Sequence, residues 1–265
     1  MEKKRILFVS QEFSPYTPEN ILSTLVNRLP QEMNDAGYEV RIFMPRFGFI
    51  NERRHQLHEV IRLSGMNLPI NDMDQPLIIK VASIPNARIQ VYFIDNEDFF
   101  KRKSTFADDS GKLHKDNDER ALFFNRGVLE TVKKLGWAPD IIHCHGWMTS
   151  LMPVYLRTQY ADDPIFSDSK VVYSVYNHGF DGTIGLNIHD KTQLKDLPEI
   201  ALKGMENPTF DNLNEMACKL CDGVIYVDLD VKSMSDQEAS IASEGDVAEA
   251  YKKFYADLLI AETVA

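Results

Sequence analysis

Three stretches hold residues whose types and spacing suit chemistry. His143, Cys144, His145, Gly146 and Trp147 run consecutively, giving two imidazoles, a thiol and an indole. Imidazole and thiolate bind zinc-like metals, imidazole also moves protons, and an indole face stacks on apolar sugar faces. Cys218 and Cys221 enclose two residues, the spacing of many metal and redox pairs. They also fall on a helical apolar pattern with Leu213, Met216, Ala217 and Leu220, where a thiol acts as a small hydrophobe. That ordinary reading is preferred, so no metal or other cofactor is assigned. The third stretch is a loop, residues 14 to 20, between an apolar run and a helical pattern. Such a junction presents backbone amides to phosphate or sugar, yet this loop has neither glycine nor lysine. No glycine-rich dinucleotide or P-loop motif occurs elsewhere, and Ser174 lacks the glycine-flanked turn of a nucleophile elbow.

The elements that must position these residues alternate. Continuous apolar runs at residues 5–10, 39–45, 89–94, 140–145, 170–177 and 222–228 read as parallel strands buried on both faces. Residues 77–84 read as an antiparallel partner of 89–94 across a turn at Pro85 to Arg88. Helical patterns cover Asn20 to Met33, with Leu29-Pro30 read as the end of the opening strand–loop–helix run, and Asp118 to Leu135, Thr149 to Tyr160 and Asp211 to Leu220. The expected fold class is α/β with a doubly wound, mostly parallel sheet. Residues 1–231 form one domain in this reading. Residues 232–246, polar and serine-rich, read as a linker. Residues 247–265 form an amphipathic helix whose stripe of Val247, Tyr251, Phe254, Tyr255, Leu258 and Leu259 packs back on the same domain.

The 265 residues suffice for a large core, and a hydrophobic share of 44% with 26% charged residues is ordinary for a globular chain. A net charge of −11 disfavours nucleic acid and anionic membrane as partners. No apolar run is long enough for a membrane span and no signal segment precedes the first strand, which predicts a cytoplasmic protein with reduced thiols.

Four stretches resemble, in order and spacing, bacterial glycogen synthase and plant starch synthase, whose members have two Rossmann-like domains. Residues 6–47 resemble a strand followed by S-E-x-x-P, K-T-G-G-L and a helix ending in L-P. Residues 116–130 resemble the D-N-x-x-R helix, residues 139–156 the P-D-V-V-H-A-H-D-W segment, and residues 171–182 the T-I-H-N-x-x-Y-Q-G segment. The resemblance implies the N-terminal half of a GT-B glycosyltransferase, acting in glycogen biosynthesis by glucosyl transfer from ADP-glucose to an α-1,4-glucan.

It also implies site residues. Asp140, His145, Trp147, Asn177 and Gly182 match the family's pattern and are the expected sugar-binding positions. Arg120 and Asp116 match as well and are expected to pair structurally. Pro18, Glu19, Asn20 and Ile21 stand where the family carries the four residues K-T-G-G, so a cation becomes a ring and an acid faces the phosphate position. Ile21 places a β-branched side chain where a positive φ is expected. The family's second domain, with most nucleotide contacts, lies beyond these residues, and a second polypeptide supplying it would be a partner. The expectation is a glycosyltransferase domain, weak or inactive alone. The alternative is a non-catalytic glucan-binding or regulatory derivative of that family, a pseudoenzyme.

Overall fold

The computed structural model describes residues 3–84, 87–231 and 234–260. Its centre is a sheet in the order β10-β9-β8-β7-β1-β2-β6-β5-β3, with β4 paired to β5. The strands are β1 (Arg5–Ser10), β2 (Glu39–Pro45), β3 (His58–Glu59), β4 (Met66–Ile70), β5 (Met73–Ser83), β6 (Gln90–Asp95), β7 (Ile141–His145), β8 (Lys170–Val175), β9 (Gly223–Val227) and β10 (Glu238–Ile241). Pairing from β10 to β6 is parallel throughout, and β5 joins β6 antiparallel. The predicted class is therefore the observed one, and the order reverses beside β1, where β2 lies on one side and β7 on the other. Ile6 to Val9 are fully covered, as a central strand with helices on both faces requires.

The helices are α1 (Ile21–Asp35), α2 (Glu97–Phe100), α3 (Asn117–Leu135), α4 (Met152–Arg157), α5 (Glu199–Glu206), α6 (Phe210–Leu220) and α7 (Val247–Ile260). Pro30 sits inside α1 rather than ending it. α3 is the most deeply buried, and its Gly136 stops it at φ 61°, the left-handed cap that glycine adopts without a Cβ penalty. Thr149 to Tyr160, expected as one helix, divides into a 3-10 turn at Trp147–Thr149 and the short α4.

Residues 232–246, expected as a linker, contain β10, which extends the sheet beside β9. Residues 232 and 233 of that stretch and 261–265 of the expected terminal helix lie outside the described residues, as do Pro85 and Asn86 of the expected turn. α7 lies over the sheet. Tyr251 and Tyr255 are fully buried, and a Cβ at Gly223 of β9 would come within 2.8 Å of the Phe254 ring, so the missing side chain makes room for α7. Among the described residues no helix is long and apolar enough to cross a membrane.

Candidate functional site

The turns after β1, β7 and β8 meet at the C-terminal edge of the sheet, where open α/β folds bind ligands. They enclose a cleft of ≈ 550 Å³. Gln11, Glu12 and Trp147 line it together with the rings of Phe49, Phe106 and Phe180. Trp147 is wedged edge-on between Phe106 at 5.0 Å and Phe180 at 5.1 Å. Aromatic walls with a few polar groups among them suit a sugar, whose faces are apolar and whose rim is hydroxyl.

The β7 turn is built around Gly146, with φ 85°. A Cβ there would stand 2.4 Å from Cδ of Gln11. The empty space seats the Gln11 side chain, whose Oε1 accepts from the Met148 amide at 3.1 Å, while the Gln11 amide donates to the His145 carbonyl at 3.2 Å. Glu12 follows, nearly buried. It accepts from Gln11 Nε2 at 3.3 Å and from Asn20 Nδ2 at 3.2 Å. Burial pushes its carboxyl above the usual range, against the opposing pull of the Gln11 hydrogen bond, the His178 charge and the Asn20 hydrogen bond.

Of the expected sugar-binding residues, Trp147 alone lines this cleft. His145 is fully buried in the sheet. Its Nδ1 is 2.7 Å from the Tyr176 hydroxyl, its Nε2 has no partner among the described residues, and burial lowers its pKa to about 3. Its ring lies 3.9 Å from that of His143. His143 bonds to the Tyr255 hydroxyl of α7 at 2.6 Å and to Ser174 at 2.8 Å. Burial, and then the charge of His145, hold His143 well below its usual range. Two neutral imidazoles thus lie side by side in the core, and His143 joins α7 to the sheet.

Asn177 is exposed in an adjoining hollow with Ile21, His178 and Asp228. Gly182 has φ 82° and lines a further depression beside the cleft. Asp140 lies at the opposite, N-terminal edge. It accepts from Lys4 Nζ at 2.6 Å and from the Arg5 amide at 2.8 Å, and so tethers β1 to β7. One strand length, roughly 16 Å for five residues, separates it from His145. The expected five-residue cluster is therefore spread over the core, the cleft, two neighbouring hollows and the far edge.

Asp116 pairs with Arg102, at 2.7 and 2.5 Å, and not with Arg120 as expected. Arg120 is buried. It donates to the Phe99 carbonyl at 2.8 Å and to Asn117 at 2.7 Å, and burial lowers its pKa to about 10. Cys144, Cys218 and Cys221 are free thiols. Burial raises all three, Cys218 to about 12, which disfavours the thiolate that metals and oxidants require.

The loop at Pro18 to Ile21 closes on itself. Asn20 caps α1, accepting from the Ser23 amide at 2.8 Å while Ser23 Oγ accepts from the Asn20 amide at 2.9 Å. Ser23 Oγ also donates to the Pro18 carbonyl at 3.0 Å. The Ser23 amide is thus already engaged by a side chain rather than open to an anion. Glu19 is exposed. Ile21 is the first helical residue, 55% exposed, and takes no positive φ, so the backbone strain expected there is absent. The sequence reading passed over Gln11, Glu12 and His178 as site residues. The first two directly follow a central strand, the position that marks the ligand edge of such a sheet.

A mostly parallel α/β sheet with a cleft at the reversal of strand order defines a Rossmann-like domain. The catalytic domain of starch synthase IV from Arabidopsis thaliana, solved bound to ADP and acarbose, superposes with a TM-score of 0.65 at 18% identity, covering 84% of this chain and 45% of that one. Residues 5–238 match the family described as starch synthase catalytic domain, and the chain belongs to that family. Glycogen synthase of Chlorobium phaeobacteroides is 38% identical over 243 residues, covering 91% of this chain and 48% of that protein. Glycogen synthase of Chlorobium limicola is 42% identical over 189 residues, 71% of this chain and 38% of that protein. The chain thus spans about half the length of the curated relatives it matches.

Proposed function

We propose that these residues form a glycogen or starch synthase-type domain that holds an α-glucan in the aromatic cleft. By themselves they transfer glucose from ADP-glucose very slowly. One observation carries the second part: the loop at the phosphate position has proline and glutamate for a cation, and its helix amide is taken by Asn20. A leaving diphosphate needs preorganised positive charge in a closed site. This loop does not supply that charge. A second polypeptide bearing the remaining domain would restore it. The Asn20 cap also favours a second reading, a glucan-binding or regulatory derivative without catalysis.

The test mixes the 265-residue chain with ADP-glucose and glycogen, then measures ADP release and co-sedimentation. Pelleting with glycogen and ADP release at background is the expected pair. Steady ADP release at ordinary glycosyltransferase rates, about 1 s⁻¹ or more, would overturn the reading of the loop. A chain that stays in the supernatant would overturn the reading of the cleft.

A further inference from the structure

The cleft continues into a depression of ≈ 680 Å³ that shares Gly111, Leu113 and Asp181 with it. Lys112, His114, Lys115 and Lys191 line that depression, and Asp181 is its only acid among the described residues. Lys103 lines the cleft itself. In a chain of net charge −11, this gathering of cations on one contiguous surface stands apart.

The neighbouring charges do not neutralise it. Lys191 is held by Asp118 at 2.7 Å and Glu119 at 3.0 Å and is committed to the fold. Asp116 is taken by Arg102, and Asp108 accepts from the Ser110 and Lys112 amides of its own turn. Lys103, Lys112 and Lys115 are exposed, and among the described residues no ion pair or hydrogen bond engages their ammonium groups. His114, between them, bonds to Ser104 at 2.9 Å. Its pKa is lowered chiefly by burial, then by the charges of Arg120 and Arg102, against the opposing pull of Asp116 and Asp108. Lysines on a loop are often no more than a solvated face. These three differ because Lys103 lines the aromatic cleft itself, while Lys112 and Lys115 line the depression that shares Gly111, Leu113 and Asp181 with it.

We infer that the sugar-binding cleft accepts a glucan carrying a phosphate monoester or similar anionic group, seated against Lys103, Lys112 and Lys115. The inference rests on the cleft reading above and adds the class of ligand. Ammonium groups on flexible stems bind phosphate as point charges, so the contribution is tunable by salt.

The experiment compares a phosphate-bearing dextrin with the same dextrin after phosphatase treatment, by calorimetric titration of the full chain. The phosphorylated form should bind about tenfold more tightly at low ionic strength, with the advantage shrinking in ~0.5 M salt and in a K112Q/K115Q double variant. Inorganic phosphate alone should bind far more weakly than the phosphorylated dextrin. Equal affinity for the two dextrins would overturn the inference while leaving the cleft reading intact. Inorganic phosphate binding as tightly as the phosphorylated dextrin would remove the sugar from the ligand and overturn it too. If neither dextrin bound, the cleft reading would fall and take this inference with it.

Discussion

At the end of β7, Gly146, Trp147 and Met148 are closed in, seated on Gln11 and roofed by aromatic rings. At the end of β1, Pro18, Glu19 and Ile21 face outward, and Asn20 satisfies the helix end. Both turns flank the same cleft. Of the β7 turn only Trp147 keeps the family's pattern, Gly146 standing where the pattern has an acid. Gly146 and Met148 nevertheless join β7 to the segment after β1 through Gln11, and His143 of the strand joins it to α7. The β1 turn has lost the pattern at Pro18 to Ile21, where Asn20 bonds to Ser23 of its own helix and to Glu12. Departure from the family's pattern does not separate the two turns, since Gly146 replaces an acid and Asn20 a glycine. What separates them is whether the turn is locked to the core or to its own helix end.

The sharpest break between the two turns concerns pH. His143 and His145 are neutral in the fold and their pKa values are lowered, so the unfolded chain binds more protons as pH falls below the usual imidazole range. Stability should be fully present above about pH 6.5 and decline as pH drops toward about 3. The slope from two buried imidazoles is on the order of 2–3 kcal/mol per pH unit. Denaturant midpoints that stay flat between pH 7 and 5 would show that these histidines are not buried neutral groups. Next in size is Gly146→Ala. The positive φ and the Gln11 side chain in the way should cost about 2–3 kcal/mol in chemical denaturation. A loss below ~0.5 kcal/mol would mean that Gln11 swings aside easily and the seat is loose. The smallest effect belongs to the β1 turn. Asn20→Ala removes a cap and should cost about 1 kcal/mol. If it cost as much as the glycine substitution, the contrast between a built-in turn and a self-contained one would disappear.

Much of the fold was legible because central strands must be apolar throughout. Residues 5–10 and 39–45 were placed without error and the other parallel core strands to within two residues, whereas β5 begins at Met73, four residues before the expected 77. β3, β4 and β10 escaped for the opposite reason. They are short edge or hairpin strands that meet water on part of their surface, and β10 is written as Glu238, Ala239, Ser240 and Ile241, of which only Ile241 is buried. The site was harder to read. A motif gives the order of residues and not the direction in which they point. Along β7 the same strand carries Asp140 to one edge, buries His145 in the middle and delivers Trp147 to the other edge. The Asp116 partnership went astray because Arg102 arrives from a long loop with no periodic signal, whereas Arg120, one helical turn away, turns into the core. The lysines beside the cleft were equally silent, since only the fold brings residues 103, 112 and 115 to the hollow.

The place of β1 in the middle of the sheet sets the order in which the molecule can assemble. β1 can pair with β2 early, but its other edge waits for β7, whose first paired residue, Ile141, lies 135 positions after Ile6. The imidazole pair on that strand then waits for α7 near the end of the described chain. Native contacts of such long reach make for slow folding, and a nascent chain of this kind spends much of its synthesis with a half-built sheet that invites chaperones.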